Sequence, residues 1–206
     1  MVKIYFTQPL DYLVLTIMAV LVIIGIYQFY FWCQRNPQRP SSSLKTFVDD
    51  WFNLKPWWIY IYSGIYYPII VFMIFSFKDF RHFNYTCISF VILLLAQMVF
   101  FLYYPVVTPP EWREQVKGNS LAERFLRYVQ SLDKSSNCFP SMHVSVSTLT
   151  ALHLQTNMDG VGNWIFLFPV LIGVSALYTK QHYFLDLIPG AVLGWGVFEI
   201  YLKLYA

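Results

Sequence analysis

Apolar residues fall in this chain in runs close to the length that crosses a bilayer, with polar residues gathered between them. About 20 consecutive apolar residues span a membrane as a helix, and the pattern predicts an all-α bundle of six spans. The first covers roughly Leu10 to Trp32, the second Trp57 to Phe77 and the third Tyr85 to Val107. The fourth begins at Pro140 and ends near Asn157. The fifth runs from Trp164 to about Tyr178, and the sixth from His182 to Tyr201, interrupted by Pro189-Gly190. The first run extends past Phe31 without a small-residue cleavage site, too long for a signal-peptide core, so it reads as a retained span.

The polar intervals are unequal. Lys78 to His82 predicts a tight loop with a solvated His82. Asp159-Gly160 and Gly162-Asn163 predict a turn. Phe47 to Trp58 mixes Trp51, Phe52, Trp57 and Trp58 with Asp49, Asp50 and Lys55, a blend that suits a short helix at the membrane interface. The longest interval, Thr108 to Asn137, holds most of the remaining charge. Leu121, Phe125, Tyr128 and Val129 recur there at helical spacing, which predicts an amphipathic helix, and a charged loop of this length is commonly functional. The fourth span carries Ser145, Ser147, Thr148 and Thr150, hydroxyls that bond within and between helices. It should lie inside the bundle, with His153 as a packing residue.

The chain has 206 residues, 57% of them hydrophobic and only 12% charged. That charge fraction is about half that of a soluble domain, so the bilayer is the solvent. A formal charge of +3, dispersed over short loops, gives no footprint for nucleic acid. Cys33, Cys87 and Cys138 form an odd set without paired spacing, which excludes a disulfide framework and a zinc ribbon. The whole chain, 1–206, reads as a single integral-membrane domain.

Two segments stand out because each puts costly polar groups at the mouth of an apolar helix: Cys138-Phe139-Pro140-Ser141-Met142-His143 and Lys180-Gln181-His182-Tyr183-Phe184-Leu185-Asp186. With six spans, both segments fall on the face opposite the termini. His182 and Asp186 are one helical turn apart on one face, so the carboxylate can accept the imidazole Nδ1 proton and leave Nε2 as nucleophile or base. In the other segment, Pro140 suits a first helical turn. The amides of Ser141, Met142 and His143 would then form a seat for a phosphate, with His143 placed to protonate a leaving oxygen. A helix-capping polar pair and an ordinary Ser N-cap are the plain structural readings of each segment alone. A metal site at His182 and Asp186 lacks further ligands at recognisable spacing. Taken together, the two segments match what in-line phosphoryl transfer needs.

Pro140-Ser141-Met142-His143, followed by Ser175, His182 and Asp186, resembles the second and third motifs of the type 2 phosphatidic acid phosphatase superfamily. The detail Phe139-Pro140-Ser141-x-His143 with Lys180-Gln181-His182-Tyr183 is most similar to its inositol phosphorylceramide synthase-like branch. The resemblance covers about 103–206, the catalytic half. It implies a six-helix bundle and catalysis without metal or other cofactor. In it, His182 attacks phosphorus to form a phosphohistidine, Asp186 orients it, His143 protonates the departing group, and Ser141 with nearby amides holds the phosphate. Two departures matter. Ala176 stands where the family often has an arginine, for which Lys180 can substitute. Lys117 and Arg124 match the first motif's spacing, but Phe125 follows in place of proline. Near Pro109-Pro110 and Trp112, Arg113 is the preferred additional phosphate contact.

The resulting expectation is an enzyme of the bilayer acting on a lipid phosphate, a phosphatase if water resolves the phosphohistidine. If a lipid alcohol acceptor such as ceramide or diacylglycerol resolves it, the enzyme is a head-group phosphotransferase. A proton-coupled transporter or flippase is the remoter reading, since a proton relay belongs near mid-span. Lys and Arg are denser on the active-site face, which by the positive-inside rule points to the cytoplasm. The resemblance points instead to an extracytoplasmic or lumenal site.

Overall fold

A computed structural model describes residues 8–133 and 135–206. Lys3, a cation of the terminal face, and Lys134, one of the active-site face, lie outside the described residues. The fold is all-helical. Helix α1 is Pro9–Arg35, α2 Tyr66–Phe72, α3 Phe80–Tyr103, α4 Pro110–Glu114, α5 Leu121–Leu132, α6 Met142–Asn157, α7 Leu167–Tyr178 and α8 Phe184–Tyr205. Among the described residues four helical stretches are long and apolar enough to cross a membrane: Pro9–Arg35, Pro56–Ser76, Phe80–Tyr103 and Phe184–Tyr205. They correspond to the first, second, third and sixth of the six expected spans. The fourth and fifth expected spans, Met142–Asn157 and Gly162–Tyr178, form as shorter helices.

The reason lies in where α6 sits. It packs against α8, α7, α3 and α2, and Ser145, Ser147, Thr150 and His153 on it are buried. A helix enclosed by protein need not be apolar where its hydroxyls find partners, as the two serines do, although Thr148 and Thr150 Oγ1 have none among the described residues. Ser145 and Ser147 bond back to the carbonyls of Met142 and Val144, and Gln97 of α3 donates to Ser145 Oγ at 2.8 Å. His153 meets Ser89 Oγ at 3.1 Å among Phe90, Phe198 and Tyr201, the packing role expected of it.

The α6–α8 contact is close because α8 offers glycine there. A Cβ at Gly190 would stand 2.7 Å from the Ser141 carbonyl oxygen, and one at Gly194 would strike that of Ser145. Helix approach through small residues is the usual means of tight packing in membranes. Here it brings the start of α6 beside the start of α8.

Other boundaries move for local reasons. Helix α3 starts at Phe80 because Asp79 caps it, accepting from His82 N at 2.7 Å. That draws His82 into the helix and buries it against Phe77 and Tyr205, so the expected solvated loop residue is corrected. The interfacial segment forms two short 3₁₀ turns, Phe47–Trp51 and Pro56–Trp58. The amphipathic helix of the long loop is α5, entered through a Ser120–Glu123 capping box, the arrangement in which two orphan backbone donors are satisfied reciprocally.

Candidate active site

The first segment enters α6 through Ser141, the N-cap, whose Oγ accepts from Val144 N at 3.4 Å. Pro140 precedes the cap, so the helix does not begin at Pro140 as expected. The Ser141 amide is also not free: it donates to the Asp186 carbonyl at 3.0 Å. The phosphate seat therefore reduces to the amides of Met142 and His143, the first two helical positions, which have no intrahelical acceptor. The buried Ser141 hydroxyl adds its proton.

The second segment is fixed from three sides. Lys180 takes a left-handed turn at φ 58°, and Gln181 N donates to the Ala176 carbonyl at 2.9 Å, which closes α7. Helix α8 is then capped twice. Asp186 Oδ2 accepts from Tyr183 N at 2.8 Å, and Asp49 Oδ1 accepts from Phe184 N at 2.8 Å. The Tyr183 hydroxyl donates to the Val107 carbonyl at 2.7 Å.

Within this frame His182 Nδ1 faces two oxygens, the Cys138 carbonyl at 3.0 Å and Asp186 Oδ2 at 3.3 Å. A backbone carbonyl can only accept, so Nδ1 carries the proton and Nε2 presents its lone pair. The carboxylate expected to set the tautomer thus shares that work with a main-chain group. Cys138 is itself held, its amide donating to the Val106 carbonyl at 3.1 Å.

His143 lies across from His182, ring centroids 6.1 Å apart and planes at 64°. Its Nδ1 is 2.9 Å from the Tyr62 hydroxyl. Tyr62 also stacks on the imidazole at 4.2 Å, with Tyr66 at 4.7 Å. A hydroxyl donates to a neutral Nδ1 and accepts from a protonated one, so this partner serves His143 in either state. Tyr62 escaped the sequence reading as one of 16 tyrosines. It sits in a π-helical turn, Tyr60–Ile65, a distortion frequent at functional sites.

The remaining expected contacts divide. The Arg113 guanidinium donates through Nη1 to the Gln130 carbonyl at 2.7 Å. Its Nη2 is buried and has no partner among the described residues. Burial, with the charge of Asp186 behind it, pushes the Cys138 thiol well above its ordinary range, and the nearby Arg113 charge opposes that shift. Arg113 thus keeps a buried spare donor, and its charge is felt at Cys138, whose carbonyl holds His182.

Lys180 does not join it. Its ammonium donates to the Asp49 carbonyl at 2.8 Å and rests on the Trp112 ring at 4.6 Å. It lines a separate cavity with Lys45, Asp50 and Glu111. Burial lowers its pKa, against the pull of Asp49 and Asp50. Ala176, in place of the familial arginine, is buried among Ile59, Tyr62, Val116 and Leu126, where a guanidinium would have no water. Lys117 and Arg124 are exposed, and Ser175 Oγ bonds back to the Ile172 carbonyl at 2.7 Å.

A metal has one candidate cluster here. Ligand atoms of Cys138, His182 and Asp186 lie within 4.8 Å of one another, so the cysteine supplies a third ligand that spacing alone did not reveal. The set is engaged in its own bonds, however. The thiol donates to the Ser135 carbonyl at 3.2 Å, and its raised pKa opposes the thiolate that binds metals.

Beside the histidines opens a cavity of about 520 Å³, reached from His143 and Gln181 and walled by α1, the Tyr60–Ile65 turn and α5. The arrangement offers an oriented imidazole lone pair, a second imidazole facing it, free amides at a helix start and an apolar chamber on the side of His143.

No curated protein and no solved structure gives a significant match to the chain. The family model described as the PAP2 superfamily matches residues 38–200, a stretch that holds both histidine segments, and this membrane chain with its paired imidazoles belongs to that superfamily of phosphatases and phosphotransferases acting on phosphate esters.

Proposed function

We propose that the chain is a lipid phosphate phosphatase working through a phosphohistidine on His182 and needing no metal. The observation that carries this reading is the facing of the two rings at 6.1 Å. Rings at that separation can flank one phosphoryl group, one imidazole facing phosphorus and the other the ester oxygen.

The steps balance. The His182 Nε2 lone pair forms a bond to phosphorus as the bond to the ester oxygen breaks, and His143 gives its Nε2 proton to that oxygen. Water then gives a proton to His143 and its oxygen to phosphorus, the P–N bond breaks, and inorganic phosphate leaves. Asp186 offsets the charge that His182 acquires. Ser141, the amides of Met142 and His143, and Arg113 Nη2 hold the non-bridging oxygens. Such preorganised donors act strongly where water is excluded.

A second reading is favoured by the cavity. It stands on the side of His143, where a leaving alcohol departs and where another lipid alcohol can enter in its place. Transfer of the phosphoryl or head group to that alcohol would suit the inositol phosphorylceramide synthase-like details of the two motifs.

The test uses purified protein with radiolabelled phosphatidate, with and without ceramide or diacylglycerol. Free phosphate supports the phosphatase, and a new labelled lipid supports the transferase. Acid-labile, base-stable label should be trapped on the wild type and absent from His182→Ala, with turnover abolished. Full activity in that variant would remove His182 as nucleophile.

A further inference from the structure

The cavity beside His143 contains a charged group that the reaction does not use. Asp133 lines it together with His143 and Tyr30. Its Oδ2 accepts from the Tyr30 hydroxyl at 2.7 Å. Its Oδ1 accepts from Gln34 Nε2 at 2.6 Å and from Ser135 N at 2.9 Å. All three donors are neutral, and among the described residues no cation pairs with this carboxylate. A negative charge repels phosphate, so Asp133 cannot belong to the anion seat. It marks the part of the cavity that receives the rest of the substrate.

Two features say what that part is. The rim is apolar and outward-facing: Ile24, on the apolar helix α1, is 51% exposed and Leu132, on the amphipathic α5, 54%. Along α1 the lining runs from Ile23 to Phe31. Those 8 residue steps measure about 12 Å at 1.5 Å each, which fits the upper part of a lipid entering sideways. The second feature is valence. An ionised carboxylate offers about four acceptor sites, and Asp133 has three filled, which leaves one on Oδ2 for a donor from the cavity.

We propose that this cavity holds the alcohol half of the substrate, and that Asp133 selects lipids bearing a hydrogen-bond donor next to the phosphorylated oxygen. The donor is a free hydroxyl, an amide N–H or an ammonium group. The inference rests on the lipid phosphate reading above and names the substrate class of that same site.

The test compares lysophosphatidate with its 2-deoxy analogue, which lacks only the free hydroxyl, on the wild-type protein in detergent micelles. A hydrogen bond to a charged group predicts a preference in kcat/KM of about 10- to 100-fold for the hydroxyl-bearing lipid. A ratio within about threefold of unity overturns the proposal, since the carboxylate would then read nothing. In Asp133→Asn, which keeps the size and an acceptor for Tyr30, the ratio should fall at least about fivefold. An unchanged ratio also overturns it. Sphingosine 1-phosphate identifies the donor: a far larger loss in Asp133→Asn than for lysophosphatidate assigns the site to an ammonium group, and an equal loss to a neutral donor.

If the wild type turns over none of these lipids, the phosphatase reading has failed and the cavity is still tested. Monoacylglycerol and its deoxy analogue are then compared by the shift each produces in the melting temperature. Stronger stabilisation by monoacylglycerol supports the site, while equal shifts or none overturn it.

Discussion

Replacing Asp186 by asparagine separates the two jobs the carboxylate is given at His182. In a simple dyad the carboxylate both sets the tautomer and offsets charge, so its loss is catastrophic. Here the Cys138 carbonyl is the nearer acceptor, 3.0 Å against 3.3 Å, and survives the change. The tautomer should persist and only the charge is lost. For a unit charge about 4 Å from the imidazolium-like nitrogen, at the effective dielectric of about 20 that describes such sites, the interaction is about 4 kcal/mol. At 1.36 kcal/mol per tenfold that is about 10³ in rate, and the remaining amide dipole brings the expected loss in kcat to about 10²–10³. The cap should survive, because the asparagine oxygen still accepts from Tyr183 N. KM should change little, and the melting temperature should stay within a few degrees. The assay is kcat and KM on a short-chain lipid phosphate, with a thermal melt of the same preparation. A loss below about threefold would show that Asp186 supplies no electrostatic help. A loss as complete as that of His182→Ala, with an intact fold, would show that the carbonyl does not hold the tautomer.

Tyr62→Phe keeps the stacking on His143 and removes the partner of Nδ1. A single neutral hydrogen bond contributes about 0.5–1.5 kcal/mol, so kcat should fall between about 2- and 13-fold. The pH–rate profile should shift with it; an unmoved profile at full rate would reduce Tyr62 to packing. Gly194→Ala places a methyl group against the Ser145 carbonyl, and overpacking of this kind costs about 1–3 kcal/mol. A melting temperature equal to wild type would mean that α6 and α8 are less closely apposed. Chelation by EDTA should leave turnover intact, and a loss restored by a divalent ion would assign one to Cys138, His182 and Asp186.

What could be read from the sequence follows from how local the cause is. His182 and Asp186 are one turn apart in one helix, so their pairing needed only helical geometry. The meeting of His143 with His182 required no more than two helix starts on one face. Tyr62 and Cys138 could not be read that way. Tyr62 reaches His143 across 81 positions, and Cys138 acts through its carbonyl, a group every residue has. The misplacement of Lys180 has a similar cause. Its nearness to His182 in sequence suggested a phosphate contact, but the left-handed turn sends it towards Asp49 and Trp112. Length and composition single out four of the six expected spans and stop being informative in a helix such as α6, whose surroundings are protein. His82 was assigned to solvent because charge surrounds it, when the Asp79 cap draws it into the helix.

The two histidines are supported by different parts of the molecule, and this explains how one site can be both rigid and open. The frame of His182, the proposed nucleophile, is the α6–α8 pair: Gly190 against Ser141, the Ser141 amide on the Asp186 carbonyl, and the Cys138 carbonyl on Nδ1. Every link is main chain or fully buried, so His182 and the phosphate seat at the start of α6 keep their relation to each other. The other support of His143, the proposed acid, comes from the Tyr60–Ile65 turn, which also forms a wall of the cavity. In the proposed reaction a lipid alcohol arriving or leaving there would meet Tyr62 and α1, not the α6–α8 seam. Attack requires a fixed distance and proton transfer tolerates adjustment, and the fold assigns its stiffer contacts to the first.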